Sequence, residues 1–262
     1  MTQWGQHLRQ MRDAAPLVQC ITNFVAMNVA ANVLLAAGAS PAMIHDEAEA
    51  GEFAAIADAL SINIGTLSPD WLRGMLAAAE AANRARHPWV LDPVAVGATG
   101  FRRDSAARLL ALRPAVIRGN ASEILALAGA HTRGKGADST DSVSLAESGA
   151  RMLASRTGGV VAVTGPVDFV TDGTRSYRIA NGHPLMPRVT AFGCALTCLN
   201  GAFIAGQPHL EGTVATLAAF GIAGEVAGAE ANGPGRFAPA FIDALAALSP
   251  GMVDERARVT PA

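Results

Sequence analysis

The segment Val189-Thr190-Ala191-Phe192-Gly193-Cys194-Ala195-Leu196-Thr197-Cys198 joins a small turn, closed by a glycine, to an apolar helical run. The first backbone N–H groups of such a helix have no intrahelical acceptor. With the helix dipole they attract negative charge. Cys194 stands at the mouth of that site. Phosphoryl transfer uses such a feature, because charge spreads over the oxygens of the moving group. Many helices start at a glycine, so the turn gains meaning only from what surrounds it.

Candidate partners fall at the ends of short apolar runs. Thr22 and Asn23 follow the run at 17–22, and Gly65 and Thr66 follow the run at 61–65. Asp92 closes Trp89-Val90-Leu91-Asp92-Pro93, Arg118-Gly119-Asn120 closes the run from Ala115, and Thr164-Gly165 closes the β-branched run at 160–164. Each alone reads as turn chemistry. Their shared placement at one sheet edge is the argument for a site. Asn120-x-x-Glu123 is also a capping box, which explains that pair without any ligand. Asp92 and Glu123 are nonetheless the donor set a hard cation such as Mg²⁺ takes, with water and phosphate oxygens completing the shell.

The elements that must carry these residues alternate. Helical patterns at 28–37 (ending at Gly38), from Ser68-Pro69 to about residue 86, and from Asn120 through Leu127 separate the strands. Residues 42–44 read as extended, with an acidic helix start at Asp46-Glu47. A hairpin at 168–179 turns at Asp172-Gly173, and the chain after Gly193 is mainly helical to Leu248. Such alternation predicts an α/β fold with a mostly parallel sheet covered by helices on both faces, its ligands beyond the carboxyl ends of the strands. With no linker and no repeat, residues 1–262 read as one domain. The polar stretch 134–142 reads as a loop, the tail after Glu255 as frayed, and the Arg102-Arg103 pair as a solvated face.

Composition narrows the function classes. Half of the 262 residues are hydrophobic and 16% are charged, which suits a large core rather than disorder. A net charge of −2 gives no footprint for nucleic acid. The most apolar stretch, 213–229, is interrupted by Glu225 and glycines, so no membrane span is expected. Cys20, Cys194 and Cys198 form no Cys-x-x-Cys pair, and Cys194 and Cys198 at i,i+4 are poorly placed for a disulfide; the reducing cytoplasm fits best. The first residues lack a signal-peptide pattern. Residues 129–135 match the start of a phosphate-binding loop, but Gly136 replaces its Ser/Thr and the segment follows a helix rather than a strand.

In order along the chain, Ile21-Thr22-Asn23, Gly38-Ala39-Ser40-Pro41-Ala42-Met43, Asn63-Ile64-Gly65-Thr66-Leu67, Leu91-Asp92-Pro93-Val94, Ile117-Arg118-Gly119-Asn120-Ala121-Ser122-Glu123, Val163-Thr164-Gly165 and the turn at Gly193-Cys194 resemble the hydroxyethylthiazole kinases. The resemblance implies a ribokinase-like three-layer sandwich and ATP-dependent phosphorylation of 4-methyl-5-(2-hydroxyethyl)thiazole in thiamine salvage. It also implies a homotrimer with the thiazole near a subunit interface. By analogy Asn23, Met43, Gly65, Thr66 and the Ala191 backbone belong to the thiazole, and Arg118, Thr164, Asn120 and Gly165 to ATP. Asp92 and Glu123 would hold Mg²⁺, and Gly193 and Cys194 would form the anion hole. The family often reads Thr-Gly-x-Gly-Cys here, so Ala191 and bulky Phe192 depart from it; Ala191 fits readily only if its φ is negative. Related sugar kinases carry an aspartate at the Cys194 position, which leaves the thiol as a weak base or a spacer. Other readings remain open: a kinase of another small alcohol such as a pyrimidine or pyridoxal, a dehydratase of hydrated nicotinamide nucleotides, and a thiazole-binding protein without turnover.

Overall fold

A computed structural model describes residues 4–129 and 139–262. Among the described residues nine strands form one sheet: β1 (Leu17–Ile21), β2 (Ser40–Ala42), β3 (Ala59–Asn63), β4 (Trp89–Asp92), β5 (Val116–Asn120), β6 (Val160–Thr164), β7 (Asp168–Thr171), β8 (Ser176–Ile179) and β9 (Val259–Pro261), in the order β2-β1-β3-β4-β5-β6-β7-β8-β9. From β2 to β6 every pairing is parallel, and β7, β8 and β9 continue antiparallel. The carboxyl ends of β1 to β6 therefore share one edge, which puts the strand-end residues together.

The helices are α1 (Gly5–Ala14), α2 (Met27–Ala37), α3 (Ala50–Ala54), α4 (Pro69–Ala85), α5 (Gly100–Ala111), α6 (Ala121–Ala128), α7 (Ser139–Thr157), α8 (Phe192–Ile204), α9 (His209–Glu230), α10 (Pro234–Ala247) and α11 (Pro250–Arg256). One face of the sheet carries α8 and α9, backed by α1, α2 and α10, in a core that includes Val18, Val90, Leu199 and Phe220. The other carries α4 and α7 with α3, α5 and α6, over Ile62, Leu91, Ile117 and Val161. Adjacent strand residues thus feed opposite cores, as a sheet covered on both faces requires. Small residues let α8 lie close: a Cβ on Gly201 would sit 3.3 Å from Val18.

Local signals are used as the sequence suggests. Gly38 ends α2 at φ 103°, Ser68 caps α4, and Asn120 and Glu123 form a complete capping box on α6. Several expectations shift. The extended stretch at 42–44 is strand only at Ser40–Ala42, and the helix expected from Asp46 begins at Ala50. The tail is not frayed: β9 pairs with β8, and Ala262 N–H donates to the Ser176 carbonyl at 2.9 Å. Of the polar stretch 134–142, residues 134–138 lie outside the described residues, as does most of the phosphate-loop near-match, while α7 already starts at Ser139. By length and composition α9 is apolar enough to cross a membrane, yet 78% of its most apolar window is buried within the fold. It is the central core helix.

Candidate active site

Under the N-terminus of α8 lies a buried string of polar side chains. Asn23, just past β1, has every amide group committed. Its Oδ1 accepts the N–H groups of Val25 and Ala26, and its Nδ2 donates to Asn63 Oδ1 at 2.9 Å and to Cys194 Sγ at 3.2 Å. Asn63, the last residue of β3, accepts the Gly65 N–H at 2.9 Å and donates to Asp92 Oδ2 at 2.7 Å. Thr197, one turn into α8, places its hydroxyl 2.8 Å from the same Asp92 oxygen. Gly65 is a glycine because a Cβ would sit 2.6 Å from Asn23 Nδ2. Buried polar groups are expected to be paired in this way. Within this string Asp92 Oδ1 is the one atom that is buried and accepts nothing; nearby Arg118 Nε and Thr22 Oγ1 are likewise buried without a partner.

The α8 N-terminus itself is open. No side chain caps it, and the first helical bond runs from Ala195 N–H to the Ala191 carbonyl at 2.8 Å, so the preceding amides have no intrahelical acceptor. Ala191 adopts φ 67°, ψ −1°, the left-handed conformation that disfavours a side chain, so the negative φ that would suit alanine is not what the turn uses. Phe192 points away from the site into the core, its ring 4.7 Å from that of Phe241. Its bulk therefore leaves the turn clear. Arg118 explains Gly193: a Cβ there would sit 2.9 Å from the guanidinium. The same side chain lies 3.7 Å from Asp92 and donates to Thr164 Oγ1 at 2.6 Å.

Burial sets the protonation states. It pushes the Cys194 thiol up to about 11; the Asp92 charge adds to this, while bonds from Asn23 and Asn63 and the Arg118 charge oppose it. At neutral pH a thiol raised in this way keeps its proton. Burial likewise raises Asp92 to about 6; Arg118 opposes this and Glu123 adds to it.

The other expected residues occupy the same edge but are engaged locally. Glu123 accepts the Asn120 N–H and the Ala95 N–H, one on each oxygen, at 2.9 and 3.0 Å. Asn120 is exposed and caps α6. Gly165 donates its N–H to Asp168, and Thr66 Oγ1 accepts the Phe24 N–H at 3.1 Å. Met43 follows β2, half-buried against the α8 side of the core. Among the described residues no group of three or more His, Cys, Asp or Glu gathers as a metal cluster. The fit to Mg²⁺ rests instead on Asp92 Oδ1, a buried acceptor with a vacant lone pair beside a second carboxylate. Asn63 and Thr197 were not singled out from the sequence. The available signals were a polar residue closing an apolar strand and a threonine three residues beyond Cys194, on the same helix face.

A family model described as the hydroxyethylthiazole kinase family matches residues 8–251. The chain belongs to the hydroxyethylthiazole kinase family. Relatives in that family include a hydroxyethylthiazole kinase of Cereibacter sphaeroides, 69% identical over 98% of both chains, and one of Rhizobium rhizogenes, 63% identical over 97% of this chain and 96% of that one. The solved hydroxyethylthiazole kinase of Pyrococcus horikoshii OT3 superposes with a TM-score of 0.93 at 41% identity, covering all of both chains. Pyridoxal kinase of Staphylococcus aureus shares the fold at a TM-score of 0.60 and 17% identity, over 81% of this chain and 89% of that one. The ribokinase-like architecture expected from the resemblance is the one present: a mostly parallel sheet between two helical layers.

Proposed function

We propose that the chain transfers the γ-phosphoryl group of ATP to the hydroxyethyl oxygen of 4-methyl-5-(2-hydroxyethyl)thiazole, giving the thiazole phosphate for thiamine salvage. The observation that carries the site assignment is the convergence at one point of an uncapped helix N-terminus, the Arg118 guanidinium against Gly193, and the buried, half-unpaired Asp92. In the transfer the alcohol oxygen bonds to the γ-phosphorus as the bond to the β-bridging oxygen breaks, and ADP leaves. Charge on the equatorial oxygens is met by the α8 amides at Gly193 and Cys194 and by Arg118. Asp92 and Glu123 would hold Mg²⁺, which neutralises phosphate charge when bound. Arg118 and Thr164 take the ATP phosphates, with Asn120 and Gly165 at their rim.

On the acceptor side, Asn23, Met43, Gly65, Thr66 and the Ala191 backbone frame the thiazole; a methionine suits a soft sulfur heterocycle. Cys194, protonated and hydrogen-bonded by Asn23, acts as a spacer rather than as a strong base. A loose transition state demands little of a base, because the alcohol proton leaves late. We further propose a cytoplasmic homotrimer, each site lying near a subunit interface, with residues 1–262 forming one domain. Phe24 and Val25, directly beside Asn23, are 69% and 57% exposed, which supports a subunit contact there.

The test is the mass of the product from MgATP and the thiazole, with 4,5-dimethylthiazole as a control lacking the hydroxyl. A phosphorylated thiazole, with ADP released only when the hydroxyl is present, supports the reading. ADP released equally with the control contradicts it.

A further inference from the structure

Arg102 is not on a solvated face, as its pairing with Arg103 suggests in the sequence. It is half-buried at the start of α5, where Thr99 Oγ1 accepts its N–H at 3.3 Å. Its guanidinium donates to three main-chain carbonyls: Nη1 to Ile64 at 2.5 Å and Val94 at 2.9 Å, and Nη2 to Gly65 at 2.6 Å. These carbonyls lie where the sheet opens. The last rung between β3 and β4 is the Ile64 N–H to the Asp92 carbonyl at 3.2 Å. Beyond it one segment continues to Gly65 and Thr66, the other to Val94 and Ala95. Nη1 alone bridges the gap, with Ile64 on one side and Val94 on the other, and Nη2 adds a second hold on the β3 side at Gly65; the rigid guanidinium fixes the directions of all three bonds, which the rotatable ammonium of a lysine does not.

The two sides of the gap carry different halves of the site. On one, the Gly65 peptide is held from both ends, its N–H by Asn63 and its carbonyl by Arg102. On the other, Val94 follows Asp92 by two residues, and the next N–H, of Ala95, is held by Glu123. We propose that Arg102 is a positioning residue that fixes the spacing between the acceptor-alcohol half and the metal and phosphate half of the site. This rests on the assignment of Gly65 and Asp92 given above. A displacement of order 1 Å between reacting groups costs about 100-fold in rate, so a small slackening of the gap is enough to be measured.

The experiment compares Arg102→Lys and Arg102→Ala with the parent protein, with kcat and both KM values normalised to folded protein. For Arg102→Lys we expect kcat to fall roughly tenfold to 100-fold, with the KM for MgATP little changed. Millimolar methylguanidinium should restore part of the Arg102→Ala rate. A residue that only supported the fold would lower the folded fraction, leave kcat per folded molecule unchanged and give methylguanidinium no rate to restore. If Arg102→Ala does not fold, Arg102→Lys decides. Unchanged kcat per folded molecule overturns the inference. Asp92→Asn run in parallel separates the two failures: if it too is fully active, the site assignment is at fault; if it is inactive while Arg102→Lys is normal, only the role of Arg102 is.

Discussion

The two sides of this site are built by opposite means. On the acceptor side, Asn23 and Asn63 have their amide groups tied into one network, and Gly65 is packed against them with no room for a Cβ. On the phosphate side, one oxygen of Asp92 and the Nε of Arg118 are buried with no partner, and the α8 amides are uncapped. Satisfied groups fix a shape, whereas unsatisfied buried groups cost stability until a ligand completes them. Under the proposed assignment, the acceptor side would supply geometry and the phosphate side affinity for charge.

The sharpest way to break this contrast is Asp92→Asn, which removes the unpaired carboxylate oxygen and puts an amide in its place. It should lower kcat by about 100-fold or more and move the magnesium half-saturation upward; an unaltered magnesium titration would take Asp92 out of the metal site. Asn63→Ala comes next. It leaves Asn23 and Asp92 each short of a partner, so unfolding should become easier by about 1–3 kcal/mol, read from denaturant midpoints, along with a fall in kcat.

Cys194→Ser should be milder, within roughly tenfold of the parent kcat, since a loose transition state draws little on a base. Loss of turnover in Cys194→Ser, without restoration in Cys194→Asp, would show that the thiol itself is needed. The pH dependence has a definite sign. The folded-state thiol titrates near 11 against an ordinary 9.0, so its neutral form is the one the fold favours. Its contribution to stability is whole below pH 9 and is lost as the pH rises through 11. Alkylation of Cys194 by iodoacetamide should accordingly stay slow at pH 8 and accelerate only well above 9. The smallest effect is expected from Ala191→Gly. Relief of the left-handed alanine should stabilise the fold by about 1 kcal/mol, seen as a modest rise in Tm.

Much of this arrangement can be read from the sequence, because parallel strands force their carboxyl ends to one edge. Asp92, Arg118, Asn120 and Thr164 could be placed there from the strand pattern alone, and the capping box at Asn120-x-x-Glu123 forms as its spacing requires. What escaped depends on long-range contact. Arg102 and Arg103 are adjacent and alike in sequence. Arg102 reaches carbonyls 8 to 38 residues away, while Arg103 stays exposed, its guanidinium donating to nearby Gly97. The roles of Asn63 and Thr197 appear only once α8 is laid across β3 and β4. Three residues at 259–261 carry too little periodicity to announce a strand, and β8 supplies the partner.

The most direct test of the contrast is a crossed calorimetric titration of two variants, Gly65→Ala and Asp92→Asn, each with the thiazole and with MgATP. A Cβ at residue 65 would meet Asn23 at 2.6–2.9 Å, so the disturbance starts on the acceptor side. The account predicts that Gly65→Ala weakens thiazole binding and spares MgATP, and that Asp92→Asn does the reverse. If both variants weaken the same ligand, or if Asp92→Asn binds MgATP as the parent does, the division of labour described here is wrong.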